Sequence, residues 1–299
     1  MLRTMNTWID LQVNGYAGVE YSSPALTVES FGRSAKAVIA SGTSVFLPTL
    51  ITSPLELYER NVAIIQEAVE RYGLQEHIPG VHFEGPFISP EPGAVGCHNP
   101  AYVLPPDCAL LDRFPFIKMM TVAAERPGMA AFIRQAVARG VVISLGHQLA
   151  TYEQLCETAE AGASCLTHFG NGIPNEIHRH KNPLWSGLAC EGLTAMLITD
   201  GHHLPPEVIK ATLRAKGVAK VIVTSDMSAP AGCPPGPYRV FDNDAILEPD
   251  GKLHNPQKNC LCGSASTMTA CMAHLESLNL LSAEELRQVG YENAKAILR

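Results

Sequence analysis

The stretch IPGVHFEG, residues 78–85, shows the pattern that decides the fold of this chain. Its body is apolar, and near its end stands Glu84, a carboxylate that is costly to bury without a partner. Comparable apolar runs recur along the chain: WIDLQV (8–13), SVFLPTLI (44–51), FIKMMTVAAE (116–125), VVISLGH (141–147), SCLTHFG (164–170), TAMLITDG (194–201) and KVIVTSDM (220–227). Strands with uniformly apolar bodies are typical of parallel sheets, which are buried on both faces.

Amphipathic segments with helical spacing lie between most of these runs. The segment SPLELYERNVAIIQEAVERYG (53–73) opens on a Ser-Pro start signal and closes on Gly73. About eight strand–helix units predict an α/β fold, a (β/α)8 TIM-type barrel, and a doubly wound open sheet is the alternative. Residues 238–262 do not continue the alternation of strands and helices, and they predict a β-hairpin insertion after strand 8. We therefore expect a single catalytic barrel domain over residues 1–299.

The composition is that of a folded protein, with 46% hydrophobic and 17% charged residues. The formal net charge of −7 argues against a general nucleic-acid binder. No apolar run has membrane-spanning length, and MLRTMNTWIDLQ (1–12) lacks the apolar core of a signal peptide. Nine scattered cysteines, an odd count, fit free thiols in a reducing compartment. We expect a cytoplasmic protein that acts on a small molecule, without a nucleic-acid or membrane partner.

Polar side chains follow most of the apolar runs. They are Glu84, His147, His168, the group Asp200, His202 and His203, and Asp226. In a parallel barrel the carboxyl ends of the strands converge at one mouth, where catalytic groups gather. Four other histidines lack this position and are interpreted as structural: His77, His82, His254 and His274.

Three of the strand-end residues form a plausible ligand set for a metal ion. Glu84, His147 and His168 supply one carboxylate oxygen and two imidazole nitrogens, as in a catalytic zinc site with an open position for water. One divalent ion is predicted, Zn²⁺ in the first place, although Fe²⁺ or another divalent ion could occupy the same set. Asp226 would then take the proton of a water molecule and later give it to the leaving group.

The first strand lacks two residues that many metal-dependent hydrolases have there. Those hydrolases carry His-x-His at the end of the strand as two metal ligands, whereas this chain has Gln12 and Asn14. Neutral amides are poor ligands for a tightly bound transition metal. We interpret Gln12 and Asn14 as vestigial second-metal positions, so the site is expected to hold one ion.

Several motifs together resemble a known family. HFEGPF and GCHNP (within 82–99), SLGHQ (144–148), THFGNG (167–172), TDGHH (199–203), TSDMSAPAG (224–232) and CGSASTM (262–268) occur in the order found in N-acetylglucosamine-6-phosphate deacetylases of the amidohydrolase superfamily. The resemblance extends from Ile9 to Leu298. It implies a (β/α)8 barrel that hydrolyses an acetamide to acetate and an amino sugar.

The resemblance also implies roles for individual residues. It is closest to members of the single-metal type, in which the residues matching Glu84, His147 and His168 hold the ion. The match to Asp226 is the general base and acid. The match to His203 contacts the substrate and helps to polarise the amide carbonyl.

Further matches concern substrate binding. The match to His98 touches the sugar, in some members across a dimer interface, so a homodimer is expected. Asn171 and Gly172 match positions near the substrate phosphate.

Two departures from the family pattern bear on these expectations. The small β-sandwich that usually wraps the barrel is expected to be absent, because the first strand begins near residue 1 and the sequence stops at Arg299. The usual phosphate-binding arginine is replaced within IHRHKNPLW (177–185), where Lys181 occupies its place and Arg179 stands two residues away. Lysine cannot form the planar fork that grips phosphate with two parallel hydrogen bonds.

Three functions therefore stay open at this point. The first is deacetylation of N-acetylglucosamine 6-phosphate or a close isomer. The second is deacylation of an unphosphorylated N-acyl amino sugar or another small N-acyl substrate. The third is a non-catalytic sugar-phosphate binding protein, which the presence of Asp226 disfavours because binding alone does not need a general base.

Overall fold

The computed structural model describes residues 7–299. Its strands, in chain order, are β1 (Trp8–Val13), β2 (Gly15–Tyr16), β3 (Val19–Glu20), β4 (Thr43–Ile51), β5 (Val81–Glu84), β6 (Ile117–Val122), β7 (Val142–Leu145), β8 (Cys165–Leu166), β9 (Thr194–Leu197), β10 (Val221–Val223), β11 (Gly236–Val240), β12 (Asn243–Leu247), β13 (Leu253–Asn255) and β14 (Cys260–Leu261). Its α-helices are α1 (Val28–Ala40), α2 (Leu55–Arg71), α3 (Ala109–Arg113), α4 (Met129–Ala138), α5 (Tyr152–Glu160), α6 (Pro183–Ala189), α7 (Pro206–Lys216), α8 (Met268–Ser277), α9 (Ala283–Arg287) and α10 (Asn293–Ile297).

Eight parallel strands form the central sheet in the order β1, β4, β5, β6, β7, β8, β9, β10. The sheet curls until its first and last strands meet, where Val13 and Met227 form a parallel bridge and the backbone N–H of Asn14 donates to the Met227 carbonyl at 2.7 Å. The predicted (β/α)8 barrel is confirmed, and the open-sheet alternative is wrong. All eight carboxyl ends therefore point to one mouth.

The barrel strands are apolar because both of their faces are covered. All six residues of β1 are buried. One cluster of buried side chains gathers residues from six barrel strands: Ile9, Leu11, Leu47, Met119, Cys165, Met196 and Ile222. A larger cluster packs the outer faces of the strands against the helices. Burial on both faces explains why the sequence shows continuous apolar runs rather than alternation.

The surrounding helices begin and end where their local signals are. Thr27 and Thr151 form capping boxes at the starts of α1 and α5. The predicted helix within 53–73 is α2, and Gly73 follows it with a φ of 65°, a left-handed conformation that glycine adopts without strain.

The segment after β10 forms more than the predicted hairpin. Strands β11 to β14 make a four-stranded antiparallel sheet in sequential order, called the insertion sheet below. A turn around Gly251 joins β12 to β13, and the two outer strands extend the sheet on either side. The prediction of a single hairpin did not separate β11 from β12, because the turn between them, Phe241 and Asp242, carries no glycine to signal it.

Within residues 7–299, no helix combines the length and the apolar character needed to cross a membrane. The expectation that the chain lacks a signal peptide rests partly on residues 1–6, which lie outside the described residues.

A buried carboxylate joins the first barrel strand to the last. Asp10 in β1 is fully buried and accepts hydrogen bonds from the Thr224 hydroxyl (2.7 Å), the Ser225 backbone N–H (3.1 Å) and the Ser225 hydroxyl. We expect Asp10→Ala to lower the free energy of unfolding by about 3 kcal/mol, because it leaves several buried donors without an acceptor. Urea unfolding followed by circular dichroism measures this change.

The control for this prediction is Asp112→Ala, which removes an exposed carboxylate that pairs with Arg139. A surface ion pair of this kind contributes less than about 1 kcal/mol. Equal losses in the two variants would contradict the role given to Asp10.

Candidate active site

Three strand-end side chains converge at the mouth of the barrel. Glu84 is the last residue of β5, and His147 and His168 each stand two residues beyond the end of their strands, β7 and β8. The Nε2 atoms of His147 and His168 lie 3.2 Å and 2.9 Å from Glu84 Oε1, and 3.1 Å from each other. Among residues 7–299, Glu84, His147 and His168 form the one group of at least three acidic, histidine or cysteine side chains that lie close enough together to hold a metal ion.

The hydrogen bond of His147 and the ionisation of Glu84 both suit a bound cation. His147 Nδ1 donates to the Ala94 carbonyl at 2.7 Å, so the hydrogen of its neutral ring is on Nδ1 and the lone pair of Nε2 faces Glu84. Burial raises the pKa of Glu84, but positive charge facing it from the positions of His147 and His168 outweighs burial and holds that pKa well below its usual range. A bound cation supplies positive charge at the same place when the two rings are neutral.

The spacing of the donor atoms also fits a cation. Ligand atoms around a tetrahedral zinc ion lie about 3.3 Å from one another, close to the separations in this cluster. Metal-binding histidines usually donate the N–H of their second ring nitrogen to a hydrogen-bond partner. His168 differs, since its buried Nδ1 has no such partner in the described part of the chain. The residues present therefore fit a divalent metal ion.

The backbone is strained where three polar residues leave their strands. His147, His168 and Asp226 have φ angles of 50°, 29° and 51°. Non-glycine residues in this left-handed region cost of the order of 1 kcal/mol or more each, and such residues concentrate at functional sites. All three of these side chains line the cavity at the mouth of the barrel.

Gln12 and Asn14 connect the cluster to Asp226. Gln12 Nε2 donates to Glu84 Oε1 at 2.8 Å and to Asp226 Oδ1 at 2.9 Å, and Asn14 Nδ2 donates to Asp226 Oδ1 at 2.7 Å. Both amides present N–H groups to the carboxylates, and N–H groups cannot bind a cation. Burial and the nearby charge of Glu84 raise the pKa of Asp226 to about 8.

The two neighbouring histidines after β9 face different ways. His203 Nδ1 donates to the Asp200 carboxylate at 2.8 Å, which leaves its Nε2 available at the cavity wall. His202 instead lies against the insertion sheet, where its Nε2 is 3.2 Å from the Asp250 carbonyl. Burial raises the pKa of Asp200, but the hydrogen bond and charge of His203 outweigh it and keep that carboxyl ionised.

The cluster opens into a cavity of about 470 Å³. All of the predicted site residues line this cavity except Gln12, Arg179 and Lys181. Gly172 has a φ of 64°, and a Cβ atom there would lie 3.0 Å from His168 and 3.1 Å from His147. Glycine at this position lets the backbone pass directly over the two imidazoles.

His98 lies beside the cluster without joining it. Its Nε2 is 3.8 Å from Glu84 Oε2, beyond hydrogen-bond distance. Its Nδ1 accepts from the Thr52 backbone N–H at 3.3 Å, so the hydrogen of the neutral ring is on Nε2. Burial is the main cause that lowers the pKa of His98 to about 3. His98 is therefore a neutral donor at the cavity wall.

The cavity has no lysine or arginine among its lining residues in the described part of the chain. Arg179 and Lys181 are exposed, although they follow Asn171–Ile177, several of whose residues line the cavity. Binding of an anion by either residue stays a prediction.

The four histidines interpreted as structural lie outside the cavity lining. His82, for example, is buried between the Leu11 carbonyl and the Thr121 hydroxyl, each 2.8 Å from one of its ring nitrogens.

Sequence reasoning missed two kinds of residue at this site. The first is Asp200 as the partner of His203, which the spacing Asp-Gly-x-His could have suggested. The second is the contribution of the insertion sheet, whose residues Phe241, Asn259, Cys260 and Leu261 line the cavity. No local pattern indicates that contribution.

Several known proteins resemble this chain in sequence and structure. A comparison with protein-family models found no match. An N-acetylgalactosamine-6-phosphate deacetylase from Shewanella sp. (strain ANA-3) is 31% identical over 278 residues, which cover 91% of this chain and 68% of the relative. The chain belongs to the N-acetylglucosamine-6-phosphate deacetylase family.

Solved structures of N-acetylglucosamine-6-phosphate deacetylases have the same fold. The enzyme from Pasteurella multocida is 29% identical, with a TM-score of 0.87 over 98% of this chain and 76% of the other. A mutant of the Mycobacterium smegmatis enzyme, in complex with N-acetyl-D-glucosamine-6-phosphate, is 27% identical, with a TM-score of 0.87 over 98% and 77%. Deacetylases of this family are metal-dependent hydrolases, and in this member the Glu84, His147 and His168 cluster is the place where a metal ion fits.

Proposed function

We propose that this chain removes the N-acetyl group from N-acetylglucosamine 6-phosphate or a close N-acetylhexosamine phosphate. The products are acetate and an amino sugar phosphate. The observation that carries the proposal is the convergence of Glu84, His147 and His168 on one cavity wall with Asp226 beside them, in a member of a deacetylase family.

Glu84, His147 and His168 would hold one divalent ion, most readily Zn²⁺, because one carboxylate and two imidazoles leave a coordination position open. Fe²⁺ or another divalent ion suits the same ligands. When bound, such an ion acts as a Lewis acid and makes a water molecule acidic enough to lose a proton near neutral pH. Gln12 and Asn14 offer N–H groups towards the carboxylates, which supports a single ion.

Asp226 is proposed as the general base and acid. In its ionised form, which positive charge in the cluster favours, it accepts a proton from the attacking water. The water oxygen forms a bond with the acyl carbon, and the carbon–nitrogen bond then breaks as Asp226 returns the proton to the departing amine. The hydrogen bonds from Gln12 and Asn14 hold the carboxylate in place for both transfers.

His203 and the remaining predicted residues are proposed to bind the substrate. His203, positioned by Asp200, can donate from Nε2 to the acyl oxygen when its ring is protonated on both nitrogens. His98, Asn171 and Gly172 line the cavity beside the cluster and would contact the sugar or its phosphate. Arg179 or Lys181 would supply positive charge for the phosphate.

A second candidate function is deacylation of an unphosphorylated amino sugar. It is favoured by the finding that no lysine or arginine appears among the described residues lining the cavity. The deciding experiment is metal analysis of the purified protein, with acetate release measured for N-acetylglucosamine with and without its 6-phosphate. Binding of sugar phosphate without any acetate release would support the third possibility, a non-catalytic binding protein.

If the phosphorylated sugar is the substrate, the basic loop can be tested directly. We expect Arg179→Ala or Lys181→Ala to raise KM about tenfold for the phosphorylated substrate alone, since a lost charge-assisted hydrogen bond costs about 1.5 kcal/mol or more. Lys210→Ala, an exposed lysine on α7, serves as the control and should leave KM unchanged. If neither loop variant changes KM, this loop is not the anion site.

We further propose that the enzyme is a cytoplasmic homodimer and that residues 1–299 act as one catalytic domain. The homodimer and the location rest on the family resemblance and on the composition of the chain. Sedimentation equilibrium of the purified protein tests the homodimer.

A further inference from the structure

The turn between β11 and β12 has an unusual backbone. Its two central residues, Phe241 and Asp242, have φ angles of 51° and 60°. Two-residue hairpin turns of this kind usually carry Asn-Gly, because glycine and asparagine tolerate a positive φ. A phenylalanine in the left-handed region is an outlier, so its side chain is expected to have a specific function at this place.

Neighbouring side chains hold the strained turn in position. The backbone N–H of Phe241 donates to the carboxylate of Glu20 at 2.8 Å. Asn243 Nδ2 donates to the Phe241 carbonyl at 2.7 Å and to the Cys97 carbonyl at 3.1 Å. The turn is thereby attached to β3 on one side and to the segment before His98 on the other.

The ring of Phe241 is part of a wall between two cavities. Phe241 is 9% exposed and belongs to one buried apolar cluster with Ile51. Both residues line the active-site cavity, and both also line a second cavity of about 470 Å³ that contains Glu20, Ser53 and Asn99. Removing the ring would open the active-site cavity towards the second one.

This wall stands next to the reacting centre. Ile51 is paired with Glu84 in the register between β4 and β5, so the two residues are neighbours on adjacent strands, about 5 Å apart at their backbones. Other apolar lining residues, such as Ile173 and Leu184, come from the segment that follows β8. Ile51 therefore places apolar surface beside Glu84, and Phe241 extends that surface as a member of the same buried cluster.

We propose that Phe241, together with Ile51, determines the size of the acyl group that the enzyme accepts. The inference rests on the proposed deacylase function. The acyl carbon reacts beside Glu84 and Asp226, so the methyl group attached to that carbon lies within reach of the wall. An acetyl methyl packs against the apolar wall, whereas a longer acyl chain collides with it.

The test compares glucosamine 6-phosphate substrates that carry N-acetyl, N-propionyl and N-butyryl groups. We expect the parent enzyme to prefer acetyl over butyryl by at least about tenfold in kcat/KM, a typical effect of fit in an apolar pocket. Phe241→Ala and Phe241→Gly should reduce that preference at least tenfold. Glycine adopts the φ of 51° without strain, so Phe241→Gly keeps the turn even if the alanine variant unfolds.

Leu261→Ala is the matched control, because it removes apolar surface of the same cavity from β14 and should leave the acyl preference unchanged. If Phe241→Gly is folded, holds as much metal as the parent and keeps the parent's preference for acetyl, the wall does not select the acyl group. That result differs from a failure of the proposed function, in which the parent itself releases no carboxylic acid from any of the three substrates.

Discussion

Replacing Asp226 with asparagine is expected to lower kcat by about 10³-fold, the range in which general acid–base catalysis contributes, while the protein remains folded and binds its metal. Asparagine has nearly the same shape, and its carbonyl oxygen can accept the hydrogen bonds that Gln12 and Asn14 donate to Asp226 Oδ1. It cannot accept the proton of a water molecule. The rate of acetate release gives kcat, and metal analysis of the same preparation shows whether the variant still binds its ion.

The control for Asp226→Asn is Asp112→Asn, which changes an exposed carboxylate on α3 that is not among the residues lining the cavity. It should leave both kcat and metal content unchanged. Near-normal turnover in Asp226→Asn would remove Asp226 from the role of general base, whereas a loss of metal together with activity would indicate that Asp226 is itself a ligand.

Loss of either histidine of the cluster is expected to remove the metal as well as the activity. His147→Ala or His168→Ala takes away one of three ligand atoms, so the affinity for the ion should fall by at least about 100-fold, since even indirect supports of a ligand are worth 10–100-fold. Metal content after extensive dialysis and acetate release measure the two effects. Adding Zn²⁺ back should restore the parent after chelation but not these variants.

The matched control is His203→Ala, which removes the same type of side chain from the same cavity. Because His203 hydrogen-bonds to Asp200 and lies outside the three-residue cluster, this variant should keep its metal while losing turnover. Full metal occupancy in His147→Ala or His168→Ala would contradict the ligand set. Loss of metal in His203→Ala would show that the cluster extends further than three residues.

Much of the fold could be predicted because parallel barrel strands carry a strong local signal. Burial on both faces makes each strand a continuous apolar run, and Glu84 at the end of β5 interrupts such a run where the strand reaches the mouth. The helix α2 was likewise predicted by its start signal and by Gly73. The insertion sheet was only partly predicted, since the turn at Phe241 and Asp242 carries no glycine to signal a separate strand before it.

The residues that complete the cavity could not be predicted in the same way. His202 and His203 are adjacent in sequence, and although the family motif singles out His203, only the structure shows that Asp200 holds it at the cavity wall while His202 turns to Asp250. Phe241 and Leu261 reach the cavity because the insertion sheet folds back over the mouth. Contacts of this kind join parts of the chain that are far apart, and no short stretch of residues encodes them.

The amino-acid sequence by itself determined the barrel, the family and the strand ends that carry Glu84, His147, His168 and Asp226. These features depend on local periodicity and on motifs a few residues long. The tertiary structure decided that Gln12 and Asn14 donate to carboxylates, that Arg179 lies outside the cavity lining and that Phe241 walls the cavity. The physical reason is that hydrogen-bond direction and side-chain packing depend on partners brought together by folding.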